Sequence, residues 1–331
     1  MNTLELHYWF NDDSHSMNAF VQNKCEYEFL GILKEIANTF EVELIIETEP
    51  FGEGGLLRRF NIFTLNSENK NNLKLAIVSA LVLGVFITPI TTSVLKTTEH
   101  IIDKIFEDEE QKEIEKNKSK SEIEKNNAET EKIKAETENL KLDAEAKRQK
   151  LFNNTIIKKK RSNFYEVLDR EPKVNQFSIQ SKNSTHKLGF EEMFVVKNNF
   201  KEFILISDDL ETEKIDNAII EIITPVLKKG KYRWIGIYNG EPQSFNMKSI
   251  EFKTLVQTGK IEFKNGSSIN CLLEVRKKIN NEGVEQISGY DIVRVNNYFE
   301  NDKPVETPEG KQHRQKLEAD KQQVKMNFNL D

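Results

Sequence analysis

Hydrophobic and polar positions along the chain fall into distinct stretches, and each predicts a different element. Thr3 to Phe10 (TLELHYWF) suits a strand and ends in the turn-rich Asn11-Asp12-Asp13-Ser14. A helix follows, with Ser14 or Ser16 placed to cap it. Met17, Phe20, Val21, Cys25, Phe29, Ile32, Leu33, Ile36 and Phe40 recur at helical spacing and make one apolar face. Val42 to Thr48 (VELIIET) reads as a second strand, closed by the glycine-rich turn from Pro50 to Gly55. The pattern predicts a small β-α-β domain over residues 1–66. A core this small needs a further surface, which oligomerisation would supply.

Leu75 to Leu95 (LAIVSALVLGVFITPITTSVL) carries no charged residue. At about 1.5 Å per residue it is just long enough to cross roughly 30 Å of hydrocarbon, so the pattern predicts a transmembrane segment over residues 73–95. The alternative is a buried core helix. Such a helix usually carries a polar stripe, whereas Leu75, Ile77, Val78, Leu81, Val82, Val85 and Phe86 point all round. The second half is less apolar and can kink at Pro89. In an oligomer its hydroxyl groups can hydrogen-bond across a helix interface, which makes Val85, Ile87, Thr88, Pro89, Thr91 and Thr92 the candidate pore and gating positions.

From Glu107 to Lys150 the chain is mostly Glu, Lys, Asn and Ala without Gly or Pro. That composition predicts a long charged stalk helix over residues 96–157, with disorder as the competing reading. Ile114, Ile123, Ile133, Leu140, Ala144 and Leu151 keep no heptad, which argues against a strong two-stranded coiled coil. Lys158-Lys159-Lys160-Arg161 closes the stalk, either touching anionic lipid or nucleic acid, or staying solvated at the helix C-terminus.

Residues 162–300 read as a mostly antiparallel α+β domain, followed by a polar tail over 301–331 with a helix around Arg314 to Val324. Strand-like runs are Phe177–Gln180, Met193–Lys197, Phe203–Ser207, Tyr232–Tyr238, Lys260–Lys264, Ile269–Arg276 and Gln286–Val295. Asn239-Gly240, Asn265-Gly266 and Asn281-Glu282-Gly283 mark hairpin turns. Ile215 to Leu227 fits one face of a helix, and Ser249 to Gln257 fits a second. The whole chain is thus predicted as α+β.

Charged residues make up 31% of the chain and the net charge is −6, which argues against a protein coated in basic surface. The two cysteines, Cys25 and Cys271, stand far apart, without metal spacing or a disulfide framework, and fit a reducing compartment. The first 20 residues lack the pattern of a signal peptide. Arg58, Arg59, Lys70 and Lys74 precede the apolar segment and weakly place the N-terminus in the cytoplasm. A C-terminal domain with a basic run and an unpaired cysteine is expected there too, and a re-entrant or incompletely inserted segment would reconcile the two.

No metalloprotease, deaminase, Walker or nucleophile-elbow motif is present, so the expectation is a binding module without enzymatic activity, metal or cofactor. His15, Ser16 and Cys25 form no recognised nucleophile arrangement. Asp208-Asp209 and Glu191-Glu192 are carboxylate pairs lacking further partners for two-metal chemistry. The most distinctive patch is Lys228, Lys229, Lys231, Tyr232, Arg233 and Trp234, followed by Tyr238, with Arg276, Lys277, Lys278 and Arg294 as neighbours across the meander. Cations for phosphates and ring faces for bases are what a single-stranded nucleic acid needs. The alternative is that Tyr232, Trp234 and Tyr238 form an aromatic core face of a strand.

The order of parts, a small α/β domain, one apolar segment, a charged helix and an α+β sensor, is similar to membrane effectors of bacterial anti-phage defence systems. Together with the Asn-Asp-Asp-Ser-His-Ser-Met run at residues 11–17, it resembles more narrowly the channel-type effector of the Hailong system. That resemblance implies a homo-oligomeric ion channel, a tetramer among the states it allows, in the bacterial inner membrane. It also implies a partner nucleotidyltransferase whose short single-stranded DNA or nucleotide product holds the channel closed. Loss of the ligand would let the 75–95 helices rearrange around Pro89, and depolarisation would arrest the cell by abortive infection. A membrane-anchored scaffold with a protein-binding C-terminal domain is the rival class, and a hydrolase using Asp208 and Asp209 the third.

Overall fold

The computed structural model of the chain describes residues 2–12, 16–49, 56–64, 69–89, scattered positions between 139 and 153, and then 154–183, 190–228, 230–264, 266–300 and 303–328. It is a mixed α+β structure with two sheets, divided into a first unit of residues 1–207 with 281–284 and a second unit of residues 208–280 with 285–331.

In the first unit β1 (Asn2–Phe10) is followed by α1 (Ala19–Thr39), β2 (Leu44–Thr48), β3 (Leu56–Thr64) and α2 (Asn69–Ile87). The unit resumes with α3 (Thr155–Arg170), β4 (Val174–Asn183), β5 (Phe190–Val196) and a 3-10 turn over Lys197–Phe203. The sheet order is β2-β3-β1-β4-β5, antiparallel throughout. The expected β-α-β unit is therefore replaced by a sheet in which β3, whose apolar alternation is interrupted by Arg58-Arg59, separates β2 from β1. Alternation in β1 sends Leu4, Leu6 and Tyr8 to the helices, while Glu5 on the other face is held by Arg59 at 2.9 Å and Lys182 at 2.8 Å. Asn18, not Ser14 or Ser16, caps α1 by accepting from the Phe20 N–H. Residues 162–207, expected in the C-terminal domain, complete the first unit's sheet because β4 is the second neighbour of the central strand β1.

The apolar segment is the centre of this unit. Leu75, Val78, Leu81, Val82, Leu83, Val85 and Phe86 are all buried in one core with α1, α3 and the sheet. The expected membrane span thus appears as a core helix, and among the described residues no helix is long and apolar enough to cross a membrane. Lys74 sits in the helix with its ammonium on the Phe40 carbonyl at 3.1 Å, and among the described residues the apolar part of the helix, Leu75 to Ile87, rises about 20 Å, short of roughly 30 Å of hydrocarbon. Its all-round apolarity is satisfied by protein on every side.

The C-terminal end of α2 is tied down from α3. Arg161 donates to the Val85 carbonyl at 3.3 Å and the Thr88 carbonyl at 3.0 Å, and the Tyr165 hydroxyl donates to the Phe86 carbonyl. These are carbonyls a helix end leaves unpaired, and a cation there also suits the helix dipole. Burial pulls the Arg161 guanidinium down to about 10. The basic tetrad is therefore no solvated run, since Lys159, Lys160 and Arg161 are each less than a tenth exposed. Lys160 lies between the Glu28 and Glu282 carboxylates at 3.5 and 2.8 Å. The stalk helix expected over 96–157 falls mostly outside the described residues.

The second unit contains β6 (Glu213–Thr224), β7 (Trp234–Tyr238), β8 (Glu241–Met247), α4 (Ile250–Gln257), β9 (Ser268–Ile279), β10 (Glu285–Glu300), β11 (Lys303–Glu306) and α5 (Pro308–Phe328). The strands β9-β6-β7-β8 lie in Greek-key order, and β10 closes the sheet by pairing parallel to β8 and antiparallel to β9. A closed five-stranded Greek-key barrel results, with α4 between its third and fourth strands and β11 added on β10. This is the design of the OB barrel. The helix expected over Ile215–Leu227 is strand β6: Ala218, Ile220 and Ile222 alternate into the core while Ile219 and Ile223 face out. An isoleucine-rich run satisfies both periods, and β-branching favours the strand. Phe203–Ser207 and Lys260–Lys264 form no strand; α4, with Ser249 as its cap, and the Asn239-Gly240 turn, with φ of 52° and 81°, lie where the sequence predicts them.

Cys271 is fully buried in the barrel, and burial pushes its thiol from 9.0 up to about 12. A raised folded value means that the folded barrel holds this proton where the unfolded chain releases it. Its contribution to stability is complete below pH 9 and is lost as pH rises towards 12. Urea midpoints of the barrel, followed by Trp234 fluorescence in a Trp9→Phe background, should fall over that range, and Cys271→Ala should flatten the fall. An unchanged slope would show that the thiol is already exposed.

Candidate nucleic-acid interface

The connection from β6 to β7, residues 225–233, carries most of the predicted basic and aromatic patch. Lys228, Lys231, Tyr232 and Arg233 are all exposed there, Tyr232 to 65%. Among the described residues no carboxylate pairs with Lys228, Lys231 or Arg233, whereas the Lys228 carbonyl accepts from the Gln257 amide at 3.1 Å. Gly230 has φ of +152°, and a Cβ there would lie 2.7 Å from the Tyr232 ring. The backbone can therefore pass beneath the ring only as glycine. Lys229 lies outside the described residues.

Other members of the predicted patch are placed elsewhere. Trp234 is fully buried, with ring centroids 6.1 Å from Phe252 and 5.7 Å from Phe263, so it is barrel core rather than a stacking platform. The strand starts at Trp234, which breaks the shared face that a strand from Tyr232 would create. Tyr238 packs edge-on to Tyr290 at 6.0 Å. Arg276 lies 3.2 Å from Asp291, Lys277 2.6 Å from Glu213, and Arg294 3.8 Å from Asp216; Lys278 is exposed. Arg276 and Lys277 of β9 are thus committed to neighbouring strands, and the open positive charge of the predicted patch is that of the β6–β7 connection together with Lys278.

The pore candidates are in the first unit's core. Val85 is fully buried, Thr88 is 3% exposed, and Ile87 and Pro89 are half-buried, while Thr91 and Thr92 lie outside the described residues. Cys25 is a packed thiol whose pKa burial drives far up, as expected for an inert core residue. His15 lies outside the described residues. Among those that are described, no group of three or more His, Cys, Asp or Glu side chains could hold a metal ion.

One polar cluster escaped the sequence. On the outer face of the first sheet the His7 ring stacks 3.9 Å from Trp9, whose indole N–H donates to the Ser178 oxygen at 2.8 Å, and the Ser178 hydroxyl donates to Glu192 at 2.5 Å. Alternation in β1 places His7 and Trp9 on one face, but the cross-strand register with β4 and β5 was not readable. The serine is bonded to the carboxylate rather than to the imidazole, so this is not a nucleophile–base pair.

No protein-family model, no curated protein and no solved structure matches the chain.

Proposed function

We propose that the chain is an oligomeric effector of the anti-phage type. Its barrel holds a short single-stranded DNA or nucleotide ligand made by a partner nucleotidyltransferase, and its apolar helix α2 is packed in the first unit at rest. Loss of the ligand releases α2 and the residues that follow it to line a membrane pore. The observation that supports this reading best is the set of exposed cations around the Tyr232 ring, in the connection between the first two strands of a Greek-key barrel. By analogy of fold, that connection and the second and third strands are where OB barrels take oligonucleotides.

The chemistry follows from the residue types. Lys228, Lys231 and Arg233 neutralise phosphates, and Tyr232 offers a ring face to a base. Anisotropy of a labelled deoxyoligonucleotide of about 12 nucleotides, measured against salt, tests it at the scale of one OB-type site. The Lys228→Gln, Lys231→Gln, Arg233→Gln triple variant should lower the salt slope by about 2. Tyr232→Ala should weaken binding by about 5- to 150-fold. Binding indifferent to both variants would sink the ligand reading, and vesicles that stay ion-tight after ligand removal would sink the pore.

A second reading has its own observation. Ile219, Ile223 and Ile235 are 60%, 52% and 41% exposed on paired strands β6 and β7, an apolar wall suited to a protein partner of a membrane-anchored scaffold. Ile223→Lys should abolish that partner's binding, while the Lys/Arg triple variant should spare it.

A further inference from the structure

The first unit contains a cavity that neither the barrel's ligand nor α2 uses. Its volume is about 400 Å³, within the range of small-molecule sites. Leu30 on α1, Val42, Leu44 and Ile46 at β2, and Phe60 on β3 make its apolar walls. It is open because β2 is the last strand of the sheet. Alternation turns Leu44, Ile46 and Thr48 into the cavity and leaves Ile45 on the opposite face.

The polar groups of the cavity are few and of definite sign. Lys34 lines it, is exposed, and has no carboxylate partner among the described residues, in contrast to Lys74, which is fixed on the Phe40 carbonyl. Asn38 lies one helical turn further along the same face of α1 and adds an amide. Thr48 is committed, its oxygen accepting from Arg58 at 3.2 Å and its hydroxyl donating to the Glu49 carbonyl. Glu43 is the one carboxylate on the wall.

An apolar slot with an ammonium and an amide beside it that have no side-chain partner among the described residues matches an amphiphile. We propose that this cavity binds an apolar acyl chain with an anionic head, the chain lying between α1 and β2 and the carboxylate or phosphate meeting the Lys34 ammonium and the Asn38 amide. The source is either a free fatty acid or an anionic phospholipid of a bilayer. The inference stands apart from the proposed function, since it concerns α1, β2 and β3 and neither the barrel nor α2.

Calorimetric titration of the full chain in detergent-free buffer tests it, using dodecanoate, octanoate and the uncharged octanol, with vesicles of phosphatidylglycerol or phosphatidylcholine as a second arm. Dodecanoate should bind saturably, one per chain, and affinity should fall about fourfold for each methylene removed. Lys34→Gln, at an exposed position, should weaken the acids by about tenfold and leave octanol unchanged, and Glu43→Gln should tighten the acids. Ile46→Trp should fill the slot and block the chain, with an unchanged circular dichroism spectrum as the check on folding. Binding only to anionic vesicles, lost in Ile46→Trp, assigns the source to the bilayer and upholds the chemistry. Absence of binding in both arms, or acid binding indifferent to Lys34→Gln and Ile46→Trp, overturns the proposal. So does a concentration-dependent dimer that dissociates on Ile46→Trp without any amphiphile bound, which would give the cavity to a second copy.

Discussion

Trp234→Ala is expected to destabilise the barrel by about 3–5 kcal/mol, the cost of removing a large side chain from a packed core. Trp234 is 0% exposed among Phe245, Phe252 and Phe263, and nothing on the barrel surface replaces its volume. Its indole nitrogen has no hydrogen-bond partner among the described residues, so Trp234→Phe forfeits little beyond volume and should cost under about 1.5 kcal/mol. Two residues away, Tyr232→Ala should leave stability within about 0.5 kcal/mol, because the ring stands in solvent. Urea unfolding followed by far-ultraviolet circular dichroism separates the two. A Trp234→Ala variant of normal stability that failed only to bind oligonucleotide would make the indole a stacking platform and the core assignment false.

Phe86→Ala should cost the first unit a similar amount, about 3–5 kcal/mol. The Phe86 ring lies 4.9 Å from Phe164, 5.7 Å from Phe29 and 6.0 Å from Phe177, so it joins α2 to both neighbouring helices and to the central part of the sheet. Unfolding followed by Trp9 fluorescence in a Trp234→Phe background reads this unit. The result bears directly on where α2 rests. A helix held in lipid would leave the unfolding midpoint of the first unit unmoved, whereas a core helix shifts it strongly.

The strands β1, β4, β9 and β10 and the helices α1 and α4 were legible, because alternation or helical spacing reports a one-sided burial directly. Where burial is two-sided the pattern loses its meaning. Leu75 to Phe86 is apolar all round, and hydrocarbon or a protein core accounts for that equally well. Arg161 within a basic tetrad looked solvated, and only the α2 carbonyls explain its burial. Ile215 to Ile223 fitted a helix face and a strand alike, and closure of the barrel by the parallel β8–β10 pair leaves no trace in local sequence. At the candidate interface the residue types were readable from Lys228 to Arg233, but not that Trp234 turns inward while Tyr232 turns out.

The first sheet is stitched from distant parts of the chain, and this sets an order of events on the ribosome. The helix α2 is complete at Ile87, yet Phe164 and Phe177, which cover its Phe86 ring, are synthesised about 80 and 90 residues later. At roughly 5–20 residues per second, the apolar part of this helix therefore lacks its α3 and β4 cover for about 4–18 s. During that interval only β1, α1, β2 and β3 of its own domain are available to pack against it, and the face that α3 and β4 later cover is open to chaperones. Slowing elongation between codons 88 and 177 lengthens that interval in proportion.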